Sequence, residues 1–233
     1  KALLEEIYKS LNMEVVSYLY GPMPTQPLGW FKKPVTKADD IKGLKFRTVG
    51  LAVDVFSDMG AAVNPLPGGE IVPALDRGLI DAAEFNNPTS DRRFGAQDVA
   101  KNYMLGSFHQ AMEFFEIGFN RKKHDALPKD LQAILRYSAE AASSSNWWTA
   151  MDNYSRDLDA LINQDKVNVY RTPKSVFEAQ IKAWDVVAKR LSDEDPFFKK
   201  VVESQRAWAK RVAKYMFLNE ADYQLGYEHI FGK

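Results

Sequence analysis

The sequence has no cysteine, no long apolar run and no excess of charge of either sign. Without cysteine, its 233 residues form no disulfide, thiolate nucleophile or cysteine-based zinc site. The 31 Lys and Arg residues balance the 31 Asp and Glu residues, which argues against a basic nucleic-acid-binding surface. No apolar run approaches the roughly 18 residues that a membrane helix needs. The chain is 45% hydrophobic, which is enough for a sizeable packed core.

Strand and helix patterns alternate in the first half of the chain. Strands are predicted at residues 13–20, 44–49, 61–66, 80–85 and 113–120, and helices at residues 2–11, 51–59 and 71–77. This alternation predicts an α/β fold with a parallel or mixed sheet. Ligands of such sheets bind at the carboxyl ends of the strands. Arg47, Glu84 and Asn86 all lie near such ends.

The second half is mostly helical. Helices are predicted at residues 128–165 and 173–191 and from 196 to about 215 or beyond, with one strand at 167–170. We therefore predict an α/β ligand-binding lobe over residues 1–120 and a mainly helical region over residues 121–233. The last helix is apolar on more than one side, which predicts packing on the lobes or on a partner chain.

Arg47 and Glu84 are the leading candidates for binding chemistry. A guanidinium binds a carboxylate through two parallel hydrogen bonds, although a solvated strand charge is the commoner fate of an arginine in this position. Glu84 ends an otherwise apolar strand, where a carboxylate needs a partner. It either pairs with Arg47, in a binding site or a structural salt bridge, or holds a hard cation.

Gln26, Trp30 and His109 are weaker candidates from the residues alone. Gln26 lies in a proline-rich loop, where an amide is usually solvated. Trp30 could line a pocket, but core packing is the default for an aromatic side chain. His109 is a candidate for lining a site, whereas His124 precedes a helix and looks exposed. None of the three histidines has metal-ligand spacing, and no catalytic triad, phosphate-binding loop or zinc motif is present.

Three segments carry a resemblance to a known family. They are Gly29-Trp-Phe31, Asp40-Ile-Lys-Gly-Leu-Lys-Phe-Arg47 and the run from Gly68-Gly-Glu70 to Asp81-Ala-Ala-Glu84. Further matches are Asn86-Asn-Pro88, Gly95, Tyr103, Phe119-Asn120 and Leu127-Pro128, so they cover nearly the whole chain. In this order and spacing they resemble the DctP-type receptors of TRAP transporters. Those are periplasmic substrate-binding proteins that feed a sodium-driven carrier.

The subgroup that binds 2-oxo acids, or lactate with a metal ion, looks most similar. That resemblance implies that Arg47 pairs with the substrate carboxylate. It also implies that a bridging sodium or calcium ion is held by Gln26, Glu84 and the main-chain carbonyl of Phe85, where close relatives are expected to have Trp. The substrate-binding residues so expected are Arg47, Gln26, Glu84, Asn86, His109 and Trp30.

The resemblance implies a periplasmic-binding-protein-like fold of class II type, with a mixed-sheet lobe and long C-terminal helices. The expected function is capture of a small 2-oxo or 2-hydroxy monocarboxylate, without catalysis. The lobes are expected to close at strands near Glu84 and Phe115 and to signal to the TRAP membrane carrier. The expected location is the periplasm, with any signal peptide removed or absent. A homodimer through the C-terminal helix is the other expected partner, and nucleic acid is not.

One departure concerns the beginning of the chain. The receptors have an N-terminal lobe before the helix that opens this sequence, so we expect the chain to be a fragment of a longer protein. Two alternatives to a receptor stay open at this point. One is a metal-assisted enzyme with Glu84 as its base, for which only His109 offers a second acid–base group. The other is a helical interaction module that uses the C-terminal helices.

Overall fold

Eight strands and ten α-helices make up the computed structural model, which describes residues 1–232. The strands are β1 (Val15–Met23), β2 (Gly29–Phe31), β3 (Lys45–Arg47), β4 (Ala62–Val63), β5 (Ala82–Ala83), β6 (Asn102–Leu105), β7 (Glu113–Asn120) and β8 (Asn168–Arg171). The helices are α1 (Ala2–Ser10), α2 (Leu51–Asp58), α3 (Ile71–Asp76), α4 (Pro88–Phe94), α5 (Ala96–Val99), α6 (Arg121–Asp125), α7 (Lys129–Asn163), α8 (Lys174–Glu194), α9 (Pro196–Asn219) and α10 (Tyr223–Phe231). Short 3-10 helices lie at Ala38–Ile41 and Gly68–Glu70.

Six of the strands form one mixed sheet, in the order β4-β3-β5-β2-β6-β8. β3 runs parallel to both β4 and β5, whereas β2 runs antiparallel to both β5 and β6. The predicted α/β fold with a mixed sheet is confirmed. β2 and β6 were not predicted, because all three residues of β2 are buried and the period-2 alternation of a half-exposed strand is missing.

A hydrophobic cluster anchors the middle of this sheet. Trp30 on β2 stacks on Tyr103 on β6 with ring centroids 4.1 Å apart. Leu161, from the end of α7, is fully buried in the same cluster, with Ala96 and Ala100 beside it. The long helix α7 is therefore packed against β2 and β6 in the middle of the sheet.

The remaining two strands, β1 and β7, pair in antiparallel fashion from Val15↔Asn120 to Tyr20↔Phe115. The predicted strand 113–120 is confirmed. The strand predicted at residues 13–20 is displaced, because β1 begins at Val15 and continues to Met23 after a shift in register between Tyr20 and Met23. Pro22 lies at that irregularity, where the ladder does not need its missing N–H group.

His124 is buried, contrary to the sequence-based expectation. Its Nε2 lies 2.7 Å from the Tyr18 hydroxyl of β1, and its Nδ1 lies 2.9 Å from Asp125 Oδ1. The position before a helix suggested exposure, but the strand that covers the ring comes from more than 100 residues earlier in the chain.

The described chain divides into two compact units. The first spans Lys1–Val187 and contains all eight strands, and the second begins at Ala188 and is helical. In the second unit Asp195 caps α9, since its Oδ1 accepts the N–H of Phe197 at 2.7 Å. The predicted division between residues 120 and 121 stays a prediction. No helix within residues 1–232 combines the length and apolar character needed to cross a membrane.

Candidate functional site

Arg47 is buried at the end of β3. This strand lies between β4 and β5, so no edge of it faces solvent, and Arg47 is only 6% exposed. The interpretation of Arg47 as a solvated strand charge is therefore wrong. Its Nε donates to the Leu66 carbonyl at 2.9 Å, and its Nη1 donates to the Glu84 main-chain carbonyl at 3.0 Å and to Glu84 Oε1 at 2.9 Å.

Glu84 meets Arg47 because β3 and β5 are parallel neighbours. The register pairs Arg47 with Ala83, and the Glu84 N–H donates to the Arg47 carbonyl at 3.2 Å. Glu84 is 3% exposed, and burial raises the pKa of its carboxyl against the opposing charge of Arg47 and a hydrogen bond from Gln26. Arg47 and a hard cation were the two partners considered for Glu84, and the structure shows the ion pair with Arg47.

Gln26 completes the cluster from the loop between β1 and β2. It is 3% exposed, so its side chain is not solvated in the way that loop amides usually are. Its main-chain N–H donates to the Gln110 carbonyl at 3.1 Å, which holds the loop in place. Its side-chain Nε2 donates to Glu84 Oε2. The structure thus brings together the three residues that the sequence singled out for carboxylate and cation binding.

The predicted cation ligands are an amide oxygen, a carboxylate and a main-chain carbonyl, all hard oxygen donors that suit sodium or calcium. The Gln26 amide already faces the Glu84 carboxylate. A half-turn of the amide would direct its oxygen to the same point, and a cation between the two oxygens would stabilise that arrangement. The donor set therefore fits a hard cation. No group of three or more His, Asp or Glu side chains within residues 1–232 offers an alternative metal site.

Phe85 and Asn86 follow Glu84 directly. The Phe85 ring stacks on Phe94 with centroids 4.6 Å apart, and a Cβ on Gly68 would lie 3.1 Å from that ring. Asn86 Oδ1 accepts a hydrogen bond from Asn87 Nδ2 at 2.7 Å. The Phe85 ring is thus held by packing. The part of Phe85 that is predicted to bind a cation is its main-chain carbonyl. The binding roles of both residues stay predictions.

Asp91, on α4, was not identified from the sequence. It is buried, and it accepts the N–H groups of Asn86 at 3.1 Å and Asn87 at 3.0 Å. Its other oxygen accepts Trp30 Nε1–H at 2.9 Å and the Tyr103 hydroxyl at 3.1 Å. Asp91 thus fixes the turn that follows Glu84. The only local signal was its place one turn after Asn87-Pro88, a helix start.

Trp30 is buried, and its indole N–H is used by Asp91. The structure places it in the hydrophobic cluster beneath the turn, and its substrate-binding role stays a prediction. His109 lies in the loop after β6, where its Nδ1 is 2.6 Å from Ser107 Oγ. Burial lowers the pKa of His109 to about 4, so its ring is neutral near pH 7.

Comparison with known proteins gives three kinds of similarity. The family described as bacterial extracellular solute-binding protein, family 7 (DctP), matches residues 1–195. A monocarboxylate 2-oxoacid-binding periplasmic protein of Nostoc is 32% identical over 96% of this chain, which spans 60% of that relative's length.

Two solved structures are similar along most of the chain. A TRAP periplasmic solute-binding protein from Colwellia psychrerythraea, with bound calcium and pyruvate, is 30% identical with a TM-score of 0.87. The similarity covers 97% of this chain and 68% of that one. A second, from Pseudoalteromonas atlantica with bound sodium and pyruvate, is 27% identical with a TM-score of 0.85 and covers 96% and 67% of the two chains.

Proposed function

Since the chain belongs to the DctP family of bacterial extracellular solute-binding proteins, we propose that it captures a small 2-oxo or 2-hydroxy monocarboxylate for a TRAP transporter. The observation that carries this proposal is the buried cluster of Arg47, Glu84 and Gln26. A buried ion pair alone is weak evidence for function, because structural pairs exist. An arginine and a glutamate pair directly at strand ends, and an amide on the glutamate can face a cation, so together they provide both halves of a carboxylate clamp.

The carboxylate is bound by Arg47. The three contacts described above use Nε and Nη1, and we assign the ligand carboxylate to the remaining nitrogen, Nη2. Leu66 and Glu84 hold the guanidinium plane rigid before the ligand arrives, so little rotamer freedom is lost on binding. The two similar structures with pyruvate support a monocarboxylate of that size.

A sodium or calcium ion is held by Gln26 Oε1, the Glu84 carboxylate and the Phe85 carbonyl. When bound, it supplies the positive charge that lets a second anion approach Glu84. Glu84 would otherwise repel the ligand, since a like charge at close range disfavours both ions. The calcium and the sodium in the two pyruvate-bound relatives support this assignment.

The protein acts as a receptor in the periplasm and not as an enzyme. Closure near Glu84 and Phe115 signals to the membrane carrier. Glu84 is paired with Arg47, and burial lowers the pKa of His109 to about 4, which makes its ring a weak base near pH 7. Recovery of the bound acid chemically unchanged would exclude the alternative of a metal-assisted enzyme.

The C-terminal helices provide the surface for a homodimer. Exposed apolar side chains of α9 and α10 are Trp208, Tyr215, Met216, Phe217, Leu218, Tyr223, Leu225, Tyr227, Ile230 and Phe231. Exposed apolar surface of this extent is costly in water. A similar solute-binding protein from Bordetella bronchiseptica, 28% identical with a TM-score of 0.86, is described as a dimer, which supports the proposal. Sedimentation at several concentrations would test it.

Calorimetric titration with pyruvate tests the receptor function. We expect binding with calcium or sodium present and none after the cation is removed. Arg47→Lys keeps a positive charge beside Glu84 but loses the planar fork, so affinity should fall by about tenfold or more. Arg92→Lys is the matched control, because Arg92 pairs with Asp165 and Asp157 instead. Equal affinities for wild type and Arg47→Lys would contradict the proposal.

A further inference from the structure

A chain of side-chain hydrogen bonds connects Gln180 to His109 through Ser107. Gln180 lies on α8, and both Gln180 and Ser107 are buried. Gln180 Nε2 donates to Ser107 Oγ at 2.8 Å, and Ser107 Oγ lies 2.6 Å from His109 Nδ1. The three residues span more than 70 positions of sequence, so the chain of contacts is created by the fold.

The direction of each hydrogen bond follows from counting donors and acceptors. The Phe108 N–H donates to Gln180 Oε1 at 3.1 Å, which fixes the amide so that its nitrogen faces Ser107. Ser107 Oγ therefore accepts from Gln180 Nε2, and it also accepts the His109 main-chain N–H at 3.2 Å. A hydroxyl has two lone pairs and one proton. Both lone pairs are used, so the Ser107 proton is donated to His109 Nδ1.

His109 must then carry its own ring proton on Nε2. Burial lowers the pKa of the ring to about 4, so the neutral form with one proton is the relevant one near pH 7. The Nε2 atom is buried, and it has no hydrogen-bond partner among residues 1–232. A buried donor without an acceptor is unfavourable, and a ligand oxygen would satisfy it.

The loop that carries His109 contacts the elements that carry Gln26 and Arg47. The next residue, Gln110, accepts the main-chain N–H of Gln26 at 3.1 Å. On the other side, the His109 ring contacts Phe56 edge-on with centroids 6.1 Å apart, and Phe56 packs on Phe46, which precedes Arg47. The loop that carries His109 is therefore held against the Gln26 loop and, through Phe56 and Phe46, against the strand that ends in Arg47.

We propose that His109 Nε2–H donates to the 2-oxo oxygen of the bound acid, and that Ser107 and Gln180 are positioning residues that hold the ring in this tautomer. This inference rests on the proposed receptor function and assigns the residue that recognises the substituent at carbon 2 of the ligand. A fixed N–H donor favours a ligand group that accepts a hydrogen bond. A 2-oxo acid satisfies it fully, whereas a 2-ammonium group presents only donors and is rejected. Pyruvate should therefore bind, and alanine should not.

Nitrogen NMR of the full chain labelled with 15N-histidine tests the tautomer without any ligand. The chain has only three histidines, and loss of one signal set in His109→Gln assigns His109. We expect a protonated Nε2 and an unprotonated Nδ1. A protonated Nδ1 in the wild-type protein would overturn the inference, whatever the variants do.

Gln180→Glu tests the relay. A carboxylate only accepts, so the Ser107 hydroxyl would turn towards residue 180 and accept Nδ1–H from His109, which moves the ring proton to Nδ1. We expect the tautomer to switch and pyruvate affinity to fall by about tenfold or more. Gln164→Glu is the control, because Gln164 is exposed and bonded to Arg92. A folded Gln180→Glu protein with unchanged tautomer and affinity would contradict the relay.

The buried carboxylate of Gln180→Glu could prevent folding. In that case, nitrogen NMR spectra of the wild-type protein with pyruvate and calcium test whether His109 donates to the ligand. Calorimetric binding accompanied by a shift of the His109 Nε2–H resonance supports the inference, and binding without that shift overturns it. Absence of pyruvate binding would contradict the receptor function itself, and the tautomer in the unliganded protein would still report whether the relay exists.

Discussion

Removal of both partners of the Arg47–Glu84 pair should cost less than the sum of the two single removals. Arg47→Met leaves a buried carboxylate that keeps the hydrogen bond from Gln26 but has lost its charged partner. Glu84→Gln leaves a guanidinium that still donates to the main-chain carbonyls of Leu66 and Glu84 at 2.9 and 3.0 Å. The double variant has no buried charge at either position.

The magnitudes follow from these contacts. Breaking a buried ion pair by removing one partner typically costs about 3–5 kcal/mol, and we expect Arg47→Met to fall in this range at pH 7. Glu84→Gln should cost about 1–3 kcal/mol, since the guanidinium loses one of three acceptors. The double variant should lose less than the sum of the two, which gives a coupling free energy of about 2 kcal/mol.

Urea unfolding of the wild type, the two single variants and the double variant, followed by circular dichroism, measures this double-mutant cycle. The loss in Arg47→Met should be smaller at pH 5 than at pH 7. Burial already raises the pKa of Glu84, and protonation removes the unpaired charge that destabilises the variant. Additive single losses, or an Arg47→Met protein within about 0.5 kcal/mol of wild type, would refute the reasoning.

Three further predictions concern the surroundings of the site. Asp91→Ala removes the acceptor of two buried side-chain donors, Trp30 and Tyr103, and of the half-buried N–H groups of Asn86 and Asn87, so the free energy of unfolding should fall by about 3 kcal/mol or more in urea titration. Gly29→Ala places a Cβ 2.4 Å from the Ala83 carbonyl at a φ of +136°, so we expect a lower melting temperature and weaker pyruvate binding. Because the pKa of His109 is about 4 in the folded protein and near 6.5 in the unfolded chain, the free energy of unfolding should fall by about 3 kcal/mol as pH drops from 6.5 to 4. His109→Gln should remove this pH dependence.

The sequence predicted the elements whose patterns are local. Strand 113–120 and the start of α9 at Asp195-Pro196 are confirmed because alternation and capping act within a few residues. The strand predicted at 80–85 is reduced to Ala82–Ala83, since only these two residues pair with neighbours. Propensity extends to flanking residues, but pairing depends on strands that lie far away in the chain.

The site was only partly predictable for the same reason. Glu84 was expected to need a partner, and Arg47 was one of the options, but their meeting depends on the parallel register of β3 and β5. Burial of Gln26 depends on the Gln110 carbonyl, 84 positions away. Asp91 gave no long-range signal, because nothing local indicates that Trp30 and Tyr103 both donate to it.

A crystal structure of the chain with pyruvate and calcium, with anomalous data on the cation, tests the carboxylate clamp most directly. We expect a calcium peak about 2.3–2.6 Å from Gln26 Oε1, the Glu84 carboxylate and the Phe85 carbonyl. The pyruvate carboxylate should lie between this ion and Arg47. A cation bound elsewhere, or a carboxylate that does not contact Arg47, would contradict the proposed mode of capture.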